Sequence, residues 1–261
     1  RHVLNGDDVN VVSMTDGVGS RNLPSRENVL KRQNSAQKAS EILGFTWVDQ
    51  YEFEDNAMDK YSLLEIVKCI EATKSRTTPD IVYTHSGADL NVDHRVVANA
   101  VLTAFRPQPN ERCKEIRLFE VASATDYGHE NIMGRFVPSL FIDISEYWSD
   151  KKLALGSYLS ELRDYPHSRS LEGLENLAKL RGNQIGLPMA EAFQVPSGLS
   201  DHTLGTAVPI AAVALGACII EKHFTLSRDV RGPDSEFSLE PDELKHLIDS
   251  VRTVEKAVGK V

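Results

Sequence analysis

The 261-residue sequence has no cysteine pair, no basic stretch and no apolar run long enough to cross a bilayer. Its three cysteines, Cys69, Cys113 and Cys218, are odd in number, widely spaced and never arranged as Cys-x-x-Cys. That excludes a disulfide framework and a thiolate zinc site, and predicts buried thiols in a reducing, cytoplasmic compartment. Lys and Arg total 29 against 38 Asp and Glu, a net charge of -9. A nucleic-acid partner, which needs a basic face, is thereby excluded. The longest apolar run, residues 207–220, is interrupted by Pro209 and Gly216. It falls short of the ~20 residues a spanning helix needs, so no membrane partner is expected. No charged-then-apolar leader is seen, although the chain begins with Arg1 rather than Met. Internal repeats and low-complexity linkers are lacking as well.

What is present is an apolar content of 41%, enough for one large α/β domain or two smaller ones. Residues 9–12 read as a strand, ended by the turn Asp16-Gly17-Val18-Gly19. A helix is expected over residues 24–43, with Pro24 near its start and Gly44 just past its end. Trp47 and Val48 suggest a second strand. Residues 62–73 place Leu63, Ile66, Val67 and Ile70 on one helical face. A strand at 81–83 and a helix at 96–105 follow. Such alternation predicts an α/β fold, a Rossmann-like, mostly parallel sheet covered on both faces. Strands at 116–121 and 140–144 precede helices at 147–162 and 171–180. Near Phe193 the pattern restarts. A strand-like entry reaches Ser200-Asp201-His202, then a small-residue helix, then a strand at 218–220 running into Glu221-Lys222-His223. The last helix opens at Glu240-Pro241, with Leu244, Leu247, Ile248, Val251, Val254 and Val258 as its apolar stripe.

Two polar constellations stand out. In residues 83–95, His85, Asp89, Asn91, Asp93 and His94 directly follow a predicted strand. Ligands of doubly wound sheets gather outside the carboxyl ends of strands. Imidazole and carboxylate suit zinc, and an adjacent Asp can orient a ligating ring. Spacing alone equally allows a polar loop with a helix-capping Asp. The second constellation pairs His202 with His223, each after a short strand, with one helix between. In a barrel of βα units, neighbouring strand ends lie ~4.8 Å apart and converge on one mouth. Two such imidazoles could share one metal, or be unrelated loop residues. Glu221 and His223 lie on one face and Lys222 on the other.

Residues 1–193 resemble the PIG-L/LmbE-type deacetylases, zinc enzymes that remove acetyl groups from N-acetylglucosamine-like sugars. The resemblance rests on Thr15-Asp16-Gly17-Val18-Gly19-Ser20-Arg21 and on Asp89-Leu90-Asn91-Val92-Asp93-His94-Arg95. It extends through Pro166-His167-Ser168-Arg169-Ser170 and Arg181-Gly182 to Ala190-Glu191-Ala192-Phe193. It implies that His94 is a zinc ligand supported by Asp93, and that Arg32 and Asp55 contact the substrate. Asn91 stands where many relatives carry an oxyanion-stabilising His, and His85 is the candidate replacement. The family's other ligands and its general base lie in a His-Pro-Asp-Asp motif that these 261 residues do not contain. One ligand of about three leaves the expected zinc centre incomplete and hydrolysis lost.

Residues 198–261 resemble the end of the N-acetylneuraminate (sialic acid) synthase barrel, the NeuB type. Gly198-Leu199-Ser200-Asp201-His202-Thr203-Leu204-Gly205, Ile220-Glu221-Lys222-His223-Phe224-Thr225, Gly232-Pro233-Asp234 and Ser238-Leu239-Glu240-Pro241 carry it. Those enzymes condense phosphoenolpyruvate with an N-acetylmannosamine-type sugar, using a divalent metal such as manganese. The resemblance makes His202 and His223 metal ligands and Ser200 a phosphoenolpyruvate contact. Asp234 and Glu221 would touch the sugar or its metal-bound water. Only two βα units of a TIM barrel's eight are represented. The expected organisation is a deacetylase-like domain at 1–193, a junction at 194–197 and a βαβα barrel fragment at 198–261. Three readings follow: a deacetylase of N-acetylated sugars, a synthase-related protein, or a non-catalytic fusion remnant of carbohydrate biosynthesis. Oligomerisation stays open.

Overall fold

Asn10–Thr15 forms β1, and a parallel partner, β2 at Thr46–Phe53, returns beside it after helix α1 at Arg26–Leu43. These elements belong to a computed structural model describing residues 1–19, 26–106, 108, 111–201, 203–214, 217–229 and 234–258. Helix α2, Leu63–Thr77, begins at Ser62, whose hydroxyl and the Glu65 carboxylate form a reciprocal capping box. It presents Ile66, Val67 and Ile70 to the core, as its periodicity predicts. Strand β3, Ile81–His85, leads to α3 at Val92–Ala104 and then to β4 at Glu115–Phe119. Helix α3 starts four residues before the expected position 96, because Asn91 caps it and three of its first four residues, Asp93, His94 and Arg95, are polar. The remaining elements up to Val195 are α4 (Glu130–Met133), β5 (Leu140–Asp143), α5 (Trp148–Gly156), α6 (Leu171–Asn183) and β6 (Ala190–Gln194).

The chain divides into two compact units, Arg1–Val195 and Pro196–Val261. In the first, the described strands form two sheets rather than one. β1 and β2 pair alone, while the second sheet runs β3-β4-β6-β5. β3 and β4 are parallel, whereas β6 is antiparallel to both of its neighbours. A core of Met58, Ile66, Val67, Ile70, Ala100, Val101, Ala104 and Phe105 joins the two sheets, with Met14, Phe53 and Val82 packed against it. A smaller core gathers Ile144, Trp148 and Ala178. Cys69 and Cys113 are free and half-buried rather than fully buried, and burial raises both thiol pKa values.

The second unit contains β7 (Ser197–Asp201), α7 (Ala207–Ala214), β8 (Ala217–Lys222) and α8 (Pro241–Ala257). β7 and β8 are parallel, with Ser200 opposite Glu221 and Asp201 opposite Lys222. Helix α8 starts with Pro241 in its first turn behind a Glu240–Glu243 capping box, and buries Leu247. Among the described residues, no helix is long and apolar enough to cross a membrane.

Gly182 lies where α6 meets the segment entering β6. A Cβ there would stand 2.5 Å from the Leu187 carbonyl oxygen and 2.7 Å from the Met189 nitrogen. At Gly156, in α5, a Cβ would meet nothing within 4 Å. Gly182→Ala should therefore cost about 1–3 kcal/mol by overpacking. Gly156→Ala should leave stability unchanged or raise it by about 0.4–1 kcal/mol. Trp47 and Trp148 both belong to the first unit, so urea unfolding followed by tryptophan fluorescence measures the difference.

Candidate metal centre and substrate cleft

The polar turn between β3 and α3 is held by its own hydrogen bonds. Asn91 Oδ1 accepts from the backbone N–H groups of Asp93 (2.8 Å) and His94 (3.4 Å), which starts the helix. Arg95 donates to the carbonyls of Asp89 and Leu90, both at 2.7 Å. His94 is thus fixed in the first turn of α3, just beyond the carboxyl end of β3, where ligands of such sheets collect.

Asp89 is fully buried, and its carboxylate is the hub of this turn. It accepts from Asn91 N–H at 2.8 Å, from the Thr125 hydroxyl at 3.1 Å and from His94 Nδ1 at 3.0 Å. A carboxylate can only accept, so Nδ1 of His94 carries a proton, and in the neutral ring Nε2 is the nitrogen with the lone pair. Burial works to raise the Asp89 pKa, but the hydrogen bond and charge of His94, then Asn91 and Thr125, outweigh it and hold it below the ordinary range. His85 stacks on His94 with ring centres 3.9 Å apart and planes 4° from parallel. Phe119 meets His85 edge-on at 4.7 Å. Burial first, and the neighbouring His94 second, push the His85 pKa down to about 3, and its Nδ1 has no hydrogen-bond partner.

Asp93 does not touch the His94 ring in the way the sequence suggests. Its two carboxylate oxygens accept from Asn56 N–H (2.6 Å) and Met58 N–H (2.9 Å), tying the segment after β2 to α3. Adjacent helical residues point ~100° apart, so the residue beside His94 cannot support its ring, whereas Asp89 in the preceding loop can. Asn91 is likewise engaged as the helix cap. Arg32 lies over the Tyr158 ring at 4.9 Å and pairs with Glu161 at 3.3 Å. Gly17, at φ +67°, faces this guanidinium: a Cβ there would be 3.4 Å from Arg32 Nη2. Asp16 Oδ1 accepts from Val18 and Gly19 N–H, at 2.9 and 3.1 Å, and Gly19 lies against Asp55. Arg32, Asp55, His85, Asn91, Asp93 and His94 all line one cleft of about 2530 Å³. Asp89, Thr125 and Glu161 have no role in the sequence reading. Asp89 stands in the quoted motif, but its function depends on a fold-back that spacing does not show.

In the second unit, Ser200 lies on β7 and Glu221 on β8, while His202 falls outside the described residues. His223 follows β8, with Nδ1 3.6 Å from Asp234 Oδ2 and its ring edge-on to Phe237 at 5.2 Å. Asp201 and Lys222, also missed by the sequence reading, form an almost fully buried ion pair at 2.9 Å. Among the described residues, no group of three or more His, Cys, Asp or Glu could hold a metal ion. Parallel stacked rings cannot aim two lone pairs at one ion, so His85 does not complete a site with His94. His94 fits zinc as one carboxylate-supported ligand, and the described residues do not supply the rest.

The depressed His85 pKa makes the metal-free protein acid-sensitive. Folding lowers this pKa, so between about 3 and 6.5 the unfolded chain binds a proton that the folded chain refuses. The stability linked to His85 is present above its unfolded pKa and is lost as pH falls toward about 3. Asp89, also depressed, adds loss of the same sign at its lower range. His85→Phe should flatten the dependence of the urea midpoint on pH between about 4 and 6.5. An unchanged slope would mean that His85 is protonated in the folded protein.

The family model described as GlcNAc-PI de-N-acetylase (PIG-L) matches residues 1–105, and that of the NeuB family matches residues 183–261. In the tail, the chain is 51% identical over 71 residues to N,N'-diacetyllegionaminic acid synthase of Legionella pneumophila. That match covers 27% of this chain and 20% of the synthase, so the chain spans about a fifth of that relative. N,N'-diacetylchitobiose deacetylase from Pyrococcus horikoshii superposes with a TM-score of 0.59 at 20% identity, over 74% of each chain. The 4-carboxy-2-hydroxymuconate hydratase from Pseudomonas putida does so with 0.57 at 19% identity, over 78% of this chain and 90% of its own. At such identities the likeness is one of fold, and a hydratase among these structures shows that the fold alone does not set the reaction. The chain therefore matches the GlcNAc-PI de-N-acetylase family model over residues 1–105 and the NeuB family model over residues 183–261.

Proposed function

We propose that the first unit is of the amino-sugar N-deacetylase type, a zinc hydrolase acting on an N-acetylated, GlcNAc-like sugar in cytoplasmic surface-glycan or nonulosonate biosynthesis. We further propose that these 261 residues alone do not turn it over. The observation carrying both parts is the buried Asp89 carboxylate on His94 Nδ1, which leaves Nε2 as a ligating atom, with a parallel imidazole beside it and no group of three ligating side chains among the described residues. Zinc, when fully held, supplies an acidified water and a polarised amide carbonyl. On this reading, Arg32 and Asp55 position sugar hydroxyl or carboxylate groups in the cleft, and Asp93 holds the segment after β2 against the helix that bears His94.

The second unit supports a second reading, on the strength of its much higher identity to a synthase. There Ser200 would meet phosphoenolpyruvate, Glu221 and Asp234 the N-acetylmannosamine-type sugar, and His202 with His223 a manganese-like ion. Two βα units cannot close a barrel mouth, so we propose a remnant with weak metal affinity rather than a working synthase. The domain limits 1–193, 194–197 and 198–261 belong to the same proposal.

With zinc and N-acetylglucosamine derivatives, the purified chain should release acetate no faster than buffer and retain under one equivalent of zinc through desalting. A graft placing a strand with His-Pro-Asp-Asp ahead of Arg1 should restore turnover, and His94→Ala should abolish the restored rate. Turnover by the ungrafted chain that His94→Ala removes would overturn the inactivity. A graft that binds zinc and stays inert toward N-acetylated sugars would overturn the deacetylase assignment. Manganese should likewise be lost on desalting, and stoichiometric retention would instead favour a working second centre.

A further inference from the structure

We propose that Tyr83, His2 and Asp7 form a second catalytic centre in the first unit, a hydrolase site for activated acyl esters. Tyr83 is the nucleophile, His2 its base and Asp7 the group that orients the base. None of these residues is a candidate zinc ligand, so the site is independent of the deacetylase reading. A hydroxyl is activated when a base lies within hydrogen-bond reach and a third group holds that base. Here Nε2 of His2 is 2.8 Å from the Tyr83 hydroxyl, and Nδ1 of the same ring is 2.6 Å from Asp7 Oδ2. The carboxylate accepts, so Nδ1 carries a proton, and in the neutral ring Nε2 accepts from the Tyr83 hydroxyl. Arg117 Nη1 donates to the same phenolic oxygen.

Each member is held from outside the triad. The parallel register of β3 and β4 sets Arg117 opposite Tyr83. Glu115, two residues back on the same face, accepts from Arg117 Nε at 2.8 Å and from Nη2 at 3.0 Å. Phe193, on β6, meets the Tyr83 ring edge-on at 5.2 Å. The base comes from a tight turn over Val3–Asn5, which Gly6 closes at φ +87°. Asp7 N–H then donates to the His2 carbonyl at 3.1 Å, which returns the carboxylate to its own imidazole. Val3 seats this turn against Gly44, where a Cβ would stand 2.8 Å from Val3 Cγ1. His2, Asp7 and Tyr83 all line the cleft, and Tyr83 is 37% exposed, so a small acyl compound can reach the hydroxyl.

Burial raises the Tyr83 pKa, against the hydrogen bond and charge of Arg117, so the phenol keeps its proton until a base takes it. As Tyr83 Oη bonds to the acyl carbon, that proton passes to His2 Nε2. The bond from the acyl carbon to the leaving oxygen breaks, and His2 gives the proton to the departing group. Water then attacks the acyl-tyrosine and loses a proton to His2. The bond between Oη and the acyl carbon breaks, Arg117 stabilises the phenolate, and His2 returns the proton to it. One ester and one water become one carboxylic acid and one hydroxyl compound, with no oxidant or reductant. Phenolate leaves with a pKa of about 10, so transfer onto Tyr83 favours donors whose leaving group is at least as acidic. That selects aryl and enol esters over simple alkyl esters.

The test treats the full 261-residue chain with 4-nitrophenyl acetate in the presence of a metal chelator. Acid quench and peptide mass spectrometry then read the acetylation of each tyrosine. Tyr127 and Tyr165, 50% and 61% exposed, serve as standards in the same digest. Tyr83 is less exposed than either, yet should acetylate about a hundredfold faster. Its acetyl group should be lost to water once the reagent is removed. His2→Gln should slow Tyr83 labelling about a hundredfold and Asp7→Asn about tenfold. Unchanged labelling of Tyr127 and Tyr165 and an unchanged circular dichroism spectrum would show that both variants fold. Labelling of Tyr83 no faster than that of the standards would overturn the centre. So would labelling of Tyr83 that survives His2→Gln, or an acetyl-Tyr83 that never hydrolyses.

Discussion

The centre of the first unit depends on one buried carboxylate. Asp89 takes up three donors from three separate places: the backbone at Asn91, the His94 ring and the Thr125 hydroxyl beyond β4. Removing one partner of a buried charged network typically costs 3–5 kcal/mol, because the others are left uncompensated. The same group holds the His94 ring, the backbone of the residue that caps α3 and the loop after β4. Chemistry and fold therefore share a residue here, and neither can be changed alone.

Much of this was legible in the sequence where the signal was local. Ile66, Val67 and Ile70 read as one helical face, and they are the buried face of α2. The segment from Tyr83 to Arg95 could be singled out because five polar, chemically useful residues follow a strand. What failed was whatever depended on long-range or angular geometry. Asp93 is the neighbour of His94 in the chain, yet helical rotation turns it toward Asn56 and Met58, and Asp89 takes the ring instead. Residues 190–193 read only as the close of the first domain, and nothing local tells that they form a strand inserted antiparallel between β4 and β5. For the tail, the residues could be named but not placed together, since His202 lies outside the described residues.

The two segments also resemble known proteins in different ways. The front is like the solved structures in fold at identities of 20% or less. The tail is 51% identical to a synthase over 71 positions, and its described strands form a two-stranded parallel sheet. Its buried Asp201–Lys222 pair links β7 to β8 in register, so part of the tail's internal order survives as a local ionic contact.

Strand β6 has a consequence for synthesis. It is the last element of the first unit, ending at Gln194, yet it lies between β4 and β5, which do not pair with each other. On a ribosome, that sheet cannot close until the residues just ahead of Pro196 have left the exit tunnel. The NeuB-like tail is then the segment occupying the tunnel at the moment of closure.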